Sequence, residues 1–279
     1  GKTGVAEHGT PQTVTITITD NESAPSVTLS TSATSIAENA GSSLTLTATL
    51  SGATYADVTV ALSTSGTATE GTDYTDGSGN VDDITISAGA TTGTVSFTPT
   101  DDSTYEDDET ANISVSSVSG GSASESGSQS VTITITENES APTVTLATSA
   151  TSIAENAGSS LTLTATLSTA TTADVTVALS TSGTATEGTD YTDGSGTVDD
   201  IVISAGSTTG TVSFTPTDDS IYDATSNETA TIAISGVSGG SATESGSQSV
   251  TITITDNDSA PTVTLSRSAS AIDENSSST

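Results

Sequence analysis

The residues with most chemical potential in this chain are carboxylates. It carries 35 Asp and Glu against 2 Lys and Arg, with one His and no Cys. In its first half they come in runs: Glu38, then Glu70, Asp73 and Asp76. Next come Asp101, Asp102, Glu106, Asp107, Asp108 and Glu109, and then Glu137 and Glu139. Paired carboxylates can work as general acid and base, or gather a hard cation through oxygen. The first chemistry lacks a nucleophile set beside a base, so no enzyme is expected. Zero Cys excludes a disulfide scaffold, a thiolate metal site and a cysteine nucleophile. The lone His8 leaves no histidine constellation.

The formal net charge of −33 and the pI near 4.1 argue against nucleic acid as a partner. Phosphate would be repelled rather than neutralised. No 18-residue apolar run is present, so no transmembrane helix is expected. Only 31% of residues are hydrophobic and 3% aromatic, while Ser and Thr supply about 40%. Such a composition can signal disorder. The spacing of the apolar residues says otherwise.

The stretch VTLSTSATSIAENAGSSLTLTATL starts at Val27, and a near copy starts at Val144, 117 residues on. A third start, VTLSRSASAIDENSSS, begins at Val263. The strand ending VTITITDNESAP, from Val14 to Pro25, also recurs twice. The chain therefore divides into the end of one unit (1–23), two whole units (24–140 and 141–259) and the start of another (260–279). A period near 120 residues is too long for a solenoid repeat and suits domains in tandem.

Within the first unit Val27 and Leu29 alternate with polar residues, as do Leu44, Leu46, Ala48 and Leu50. The pattern continues at Val58, Val60 and Leu62; Ile84 and Ile86; Val95 and Phe97; Ile113 and Val115; and Val131, Ile133 and Ile135. Each segment has one apolar face and one Thr/Ser face, the mark of a half-buried strand. Seven such strands, parted by Gly-, Ser- and Asp-rich turns, predict an all-β chain. The expected fold is a tandem of seven-stranded antiparallel β-sandwiches of immunoglobulin type. At ~25 cal/mol per Å² of buried apolar area, so aromatic-poor a core needs another source of stability.

If every connection reverses direction, alternate loops share one end of the sandwich. Glu38, the Glu70–Asp76 run, the Asp101–Glu109 run and Glu137 with Glu139 then all fall at the same end. Asp57 and Glu125 are nearly alone at the other. About a dozen uncompensated carboxylates at one end repel one another and raise each other's pKa. A cation would relieve this. With only oxygen ligands in numbers, Ca²⁺ fits better than Mg²⁺. The plain alternative is a solvated acidic rim.

The unit resembles the Calx-β domain. The stretches that carry the resemblance are AENAG (37–41), GTATEGTDY (66–74), ITISAGATTGTVSFTPTDDSTYEDDETANISV (84–115) and SVTITITENE (130–139). The resemblance implies a seven-stranded sandwich binding Ca²⁺ through loops at one end. Its ligand positions map onto Glu38, Asp73, Asp101, Asp102, Glu106, Glu109, Glu137 and Glu139. In the second unit they map onto Glu155, Asp190, Asp218, Asp219, Asp223, Glu228, Asp256 and Asp258. Two departures stand out. Asn138 and Asn257 occupy the middle of the final acidic run, where their carbonyl oxygens could serve. The second unit also has two extra residues before Glu228 and fewer acids there, which weakens one calcium position.

Strand parity places the acidic end of one unit toward the start of the next, across Ser140–Ala141–Pro142, so the units are expected to stack head to tail. The resulting expectation is a calcium-stiffened rod in an extracellular or cell-surface protein, such as an adhesin stalk or matrix protein. Its partners would be neighbouring repeats, copies of itself, or other surface and matrix components, with no membrane insertion. One alternative is a filament subunit joined by strand complementation between the partial terminal units. Another is a carbohydrate-binding module, which would need an exposed aromatic platform.

Overall fold

The computed structural model of the chain describes residues 13–19, 21–76, 81–193, 198–222 and 227–267. It contains strands and no helix among these residues. Among the described residues no helix is therefore long and apolar enough to cross a membrane. Contacts separate the chain into two compact units.

The first sandwich runs through β1 (Ser26–Thr31), β2 (Ser35–Ala37), β3 (Leu44–Leu50), β4 (Val58–Gly66), β5 (Tyr74–Thr75) and β6 (Ile84–Ile86). It continues with β7 (Thr92–Pro99), β8 (Thr104–Tyr105), β9 (Glu109–Ser119), β10 (Ser124–Glu125) and β11 (Ser130–Thr136). The seven strands expected from alternation are β1, β3, β4, β6, β7, β9 and β11. One sheet has the order β10-β1-β3-β7-β5, the other β2-β11-β9-β4-β6. β8 belongs to neither.

Alternation explains the layering. Val27, Leu46, Ala48 and Phe97 line the inner face of one sheet and are fully buried. Val58, Val60, Ile84, Ile86, Ala111, Ile113 and Ile133 do the same for the other. Register keeps these faces aligned: Val27 lies opposite Leu50, and Leu44 opposite Phe97. Tyr74 enters this core too, its ring stacked on Phe97 with centroids 4.6 Å apart. Offset stacking of this kind adds about 1 kcal/mol beyond area burial.

Two features were not visible in the alternation. The first strand of the unit breaks after Thr31, so β1 joins one sheet and β2 the other. The ladder between β4 and β9 also shifts register between Ala61 and Leu62. Asp83 closes that bulge by accepting the Leu62 N–H at 2.9 Å. At the far end of β4, Gly66 has φ +125°, and a Cβ there would lie 2.0 Å from the Thr110 carbonyl oxygen. Only glycine fits this crossing.

The second sandwich repeats the plan. One sheet contains Thr143–Thr148, Leu161–Leu167 and Thr209–Pro216; the other contains Val175–Gly183, Asn227–Ser238 and Ser249–Thr255. Tyr191 stacks on Phe214, again at 4.6 Å. Asp200 accepts the Leu179 N–H at the matching bulge, at 3.0 Å.

Of the partial terminal units, residues 13–19 and 260–267 form no strand. The remainder of 260–279, with residues 1–12 and 20, lies outside the described residues. Val14, Ile16 and Ile18 are 86%, 81% and 92% exposed.

Candidate metal centre

β2 brings the first acid into place. It lies beside β11 in the sheet, and the Glu38 N–H donates to the Thr136 carbonyl at 3.0 Å. Glu38 thus sits next to the acids that follow β11. Oxygens of Glu38, Glu137 and Glu139 all lie within 4.8 Å of one another. Glu38 is only 7% exposed. Burial raises its pKa, and the charges of Glu137, Asp102 and Asp101 raise it further, although the Asp102 N–H donates to it at 2.9 Å.

Glu137 is the anchor of this cluster. Its Oε2 accepts the Glu106 N–H at 2.5 Å; its Oε1 accepts the N–H groups of Asn138 and Glu139, both at 2.7 Å. Burial works against its charged form, but these donors outweigh it and hold its pKa below the ordinary carboxylate value. Glu139 is pushed the other way, up to about 7. Its hydrogen bond with Glu137 is the main cause, followed by burial and the charges of Glu137, Glu38 and Asp101.

A second set forms where the turn before β5 meets the start of β9. Asp73, Glu106 and Glu109 offer oxygens within 4.8 Å of one another. Asp73 Oδ2 accepts the Thr69 N–H at 2.6 Å. Asp102 turns its Oδ1 to the Thr104 N–H at 2.6 Å. Asp101 is exposed and acts on the first cluster through its charge.

In the second sandwich Glu155, Asp256 and Asp258 form the matching cluster. Burial raises the Glu155 pKa, opposed by hydrogen bonds from Asn257. A cleft of about 10 Å³ is lined by Glu155, Asp190, Asp219, Glu228 and Asp256, with Thr217 and Ile254. That is room for a single water-sized guest. Asp218 is tied to this end by the Asn257 amide, at 3.0 Å. Asp223 lies outside the described residues.

The two central asparagines reach these clusters through their amide N–H groups. Asn138 donates its amide to Glu139 Oε1 at 2.8 Å, and Asn257 donates to Glu155 Oε1 at 2.8 Å. Beside so many carboxylates an amide N–H supplies the partial positive charge that the side chains lack.

The donor set suits a hard cation. It is wholly oxygen, and neither Lys2 nor Arg267, the two cationic residues, lies within 24–259. Glu139 Oε2 has no hydrogen-bond partner of its own, which leaves it free to meet a cation. Residues 20–139 and 137–258 each match the Calx-beta domain model.

The chain belongs to the Calx-beta family. Calx-beta domains bind Ca²⁺, a cation that an all-oxygen donor set suits. Among solved structures it is similar to the crystal structure of CBD12 from CALX1.2, at 16% identity and a TM-score of 0.35, covering 82% of this chain and 99% of that one. It is similar also to the calcium binding domain CBD12 of CALX1.1, at 16% identity, a TM-score of 0.34 and 79% and 96% coverage. The apo-form Calx CBD1 domain matches at 18% identity and a TM-score of 0.34, over 42% of this chain and 99% of that one. No curated protein sequence matches. The family assignment rests on the two domain matches.

Several acids outside the ligand set proved to be backbone acceptors. Asp57 takes the Ala88 N–H at 2.8 Å, Asp83 the bulge at Leu62, and Glu125 the Gln129 N–H at 2.5 Å. Tyr74 and Tyr191 are core residues, so neither is available for an exposed aromatic platform.

Proposed function

We propose that this tandem of Calx-beta domains is a calcium-binding structural segment of an extracellular or cell-surface protein, stiffened by the ions at its acidic ends. The carrying observation is the cluster of Glu38, Glu137 and Glu139, repeated as Glu155, Asp256 and Asp258, in a stretch (24–259) that contains no Lys or Arg. Calcium there would offset the repulsion and fix the loops. The linker Ser140–Ala141–Pro142 is short and contains a proline, which limits freedom between units. Millimolar calcium outside cells keeps even weak sites filled. Its partners are neighbouring repeats and surface or matrix components.

Thermal unfolding and hydrodynamic size, each with calcium and with chelator, test this. At a hundredfold excess over Kd, one site contributes about 2.7 kcal/mol, a rise in Tm of about 10 °C. The hydrodynamic length should rise with calcium as well. Unchanged Tm and size on chelation would sink the proposal.

A further inference from the structure

Glu70 and Glu187 sit among the acids of the calcium end, three residues before Asp73 and Asp190, yet their carboxylates are spent elsewhere. Glu70 Oε1 accepts the Val81 N–H at 2.6 Å, and its Oε2 accepts the Thr64 hydroxyl at 3.0 Å. Glu187 does the same in the second sandwich, with Val198 N–H at 2.6 Å and Thr181 hydroxyl at 2.8 Å. Each carboxylate ties the edge of one strand to the residue that leads into the next. The turn between them is held from its other side. Asp73 N–H donates to the Thr69 carbonyl at 2.9 Å, Gly71 N–H to the Tyr74 carbonyl at 2.8 Å, and Thr100 N–H to the Asp73 carbonyl at 2.9 Å. The buried Tyr74 ring closes the turn against Phe97. The equivalent bonds recur at Asp190, Gly188 and Thr217.

We propose that Glu70 and Glu187 are positioning residues for calcium. They brace the turn that presents Asp73 or Asp190 and coordinate nothing themselves. This rests on the calcium reading above. It separates two roles that look alike in sequence, since each sandwich carries both acids, Glu70 and Asp73 or Glu187 and Asp190, in one short segment. A ligand needs its charge. A brace needs only one acceptor for the valine N–H and one polar atom for the threonine hydroxyl. Glutamine provides both, because its carbonyl oxygen accepts the N–H and its amide donates to the hydroxyl oxygen.

The test is calcium titration calorimetry on the whole chain, at a temperature where circular dichroism shows every variant folded. The double variant Glu70→Ala/Glu187→Ala should bind calcium about tenfold more weakly, the usual cost of removing a group that orients a ligand. Glu70→Gln/Glu187→Gln should restore most of the affinity. Thr64→Val/Thr181→Val, which leaves every carboxylate in the chain but removes its hydroxyl partner, should weaken binding in the same direction. If the glutamine pair binds as weakly as the alanine pair, the two residues are ligands and the proposal is overturned. Unchanged affinity in the alanine pair overturns it as well. The calcium reading fails separately, by absence of binding in the unaltered protein. Should the alanine pair not fold, the glutamine and valine pairs still decide between brace and ligand.

Discussion

The acidic ends of the two sandwiches start from nearly the same sequence and settle their charge differently. In the first, Glu137 gathers three backbone N–H groups, one of them from Glu106, and so ties the loop before β9 to the end of β11. In the second, the acids after the last strand are the shorter Asp256 and Asp258, and Asp256 takes the Asp258 N–H. The work of linking segments passes to Asn257, whose amide reaches both Glu155 and Asp218. The first sandwich holds two three-acid clusters; the second holds one among the described residues. One methylene per side chain and a two-residue insertion thus shift the balance from carboxylates organised by N–H groups to carboxylates bridged by an amide. The difference is local. Core stacks and bulges are the same in both.

That locality can be broken by core substitution. Phe97→Ala and Phe214→Ala should each cost about 3–4 kcal/mol, because both rings are fully buried under equivalent tyrosines. Urea unfolding of the two variants should give matching losses. A gap of more than about 1 kcal/mol between them would show that the sandwiches differ in the core as well as at the acidic end.

The next effect is smaller and should be unequal. In chelator, Glu137→Ala removes the acceptor of three N–H groups and should cost about 2 kcal/mol, against about 1 kcal/mol for Asp256→Ala. Relief of repulsion offsets part of the loss in both. Equal losses, or a larger one at Asp256, would break the contrast.

The smallest effect is in pH. Glu139 has a folded-state pKa of about 7, above its ordinary 4.5. Such an acid holds its proton more tightly in the folded state. Its contribution to apo stability is therefore fully present below about pH 4.5 and is lost as pH rises toward 7. Calcium must displace that proton, so affinity at the first site should fall about tenfold from near pH 8 to near pH 6. Glu139→Gln should flatten this dependence. A profile that is flat in the unaltered protein would remove the assignment.

Much of the fold was legible because alternation and burial coincide: every strand expected from apolar spacing is present. The acidic end was legible for a related reason. Strand parity fixes which loops share an end, and parity survives small errors in strand limits. What stayed hidden depended on direction rather than position. Nothing in the spacing of Glu70 or Asp83 says whether a carboxylate faces an ion or an N–H. The crossing from β1 to β2 occurs at residues 32–34, where Ser, Ala and Thr are too small to give a periodicity to read. The amides of Asn138 and Asn257 could be placed in the cluster, but not oriented. Tyr74 opens a strand of only two residues, too short for alternation to mark it as core.

The crossing of the first strand between sheets has a mechanical consequence. In the second sandwich Ser152–Ala154, near the chain's entry into the domain, runs parallel to the final strand, with Ile153 opposite Ile254. A force drawing the two ends of that domain apart would slide these strands along each other. Their bonds, including Thr253 N–H to the Thr151 carbonyl at 2.9 Å and Glu155 N–H to the Thr255 carbonyl at 3.1 Å, would be loaded together rather than opened one at a time. The sheared patch ends at Glu155. An ion held by Glu155, Asp256 and Asp258 would then act as a pin through both strands. Resistance of this domain to pulling would then depend on the calcium concentration around the molecule.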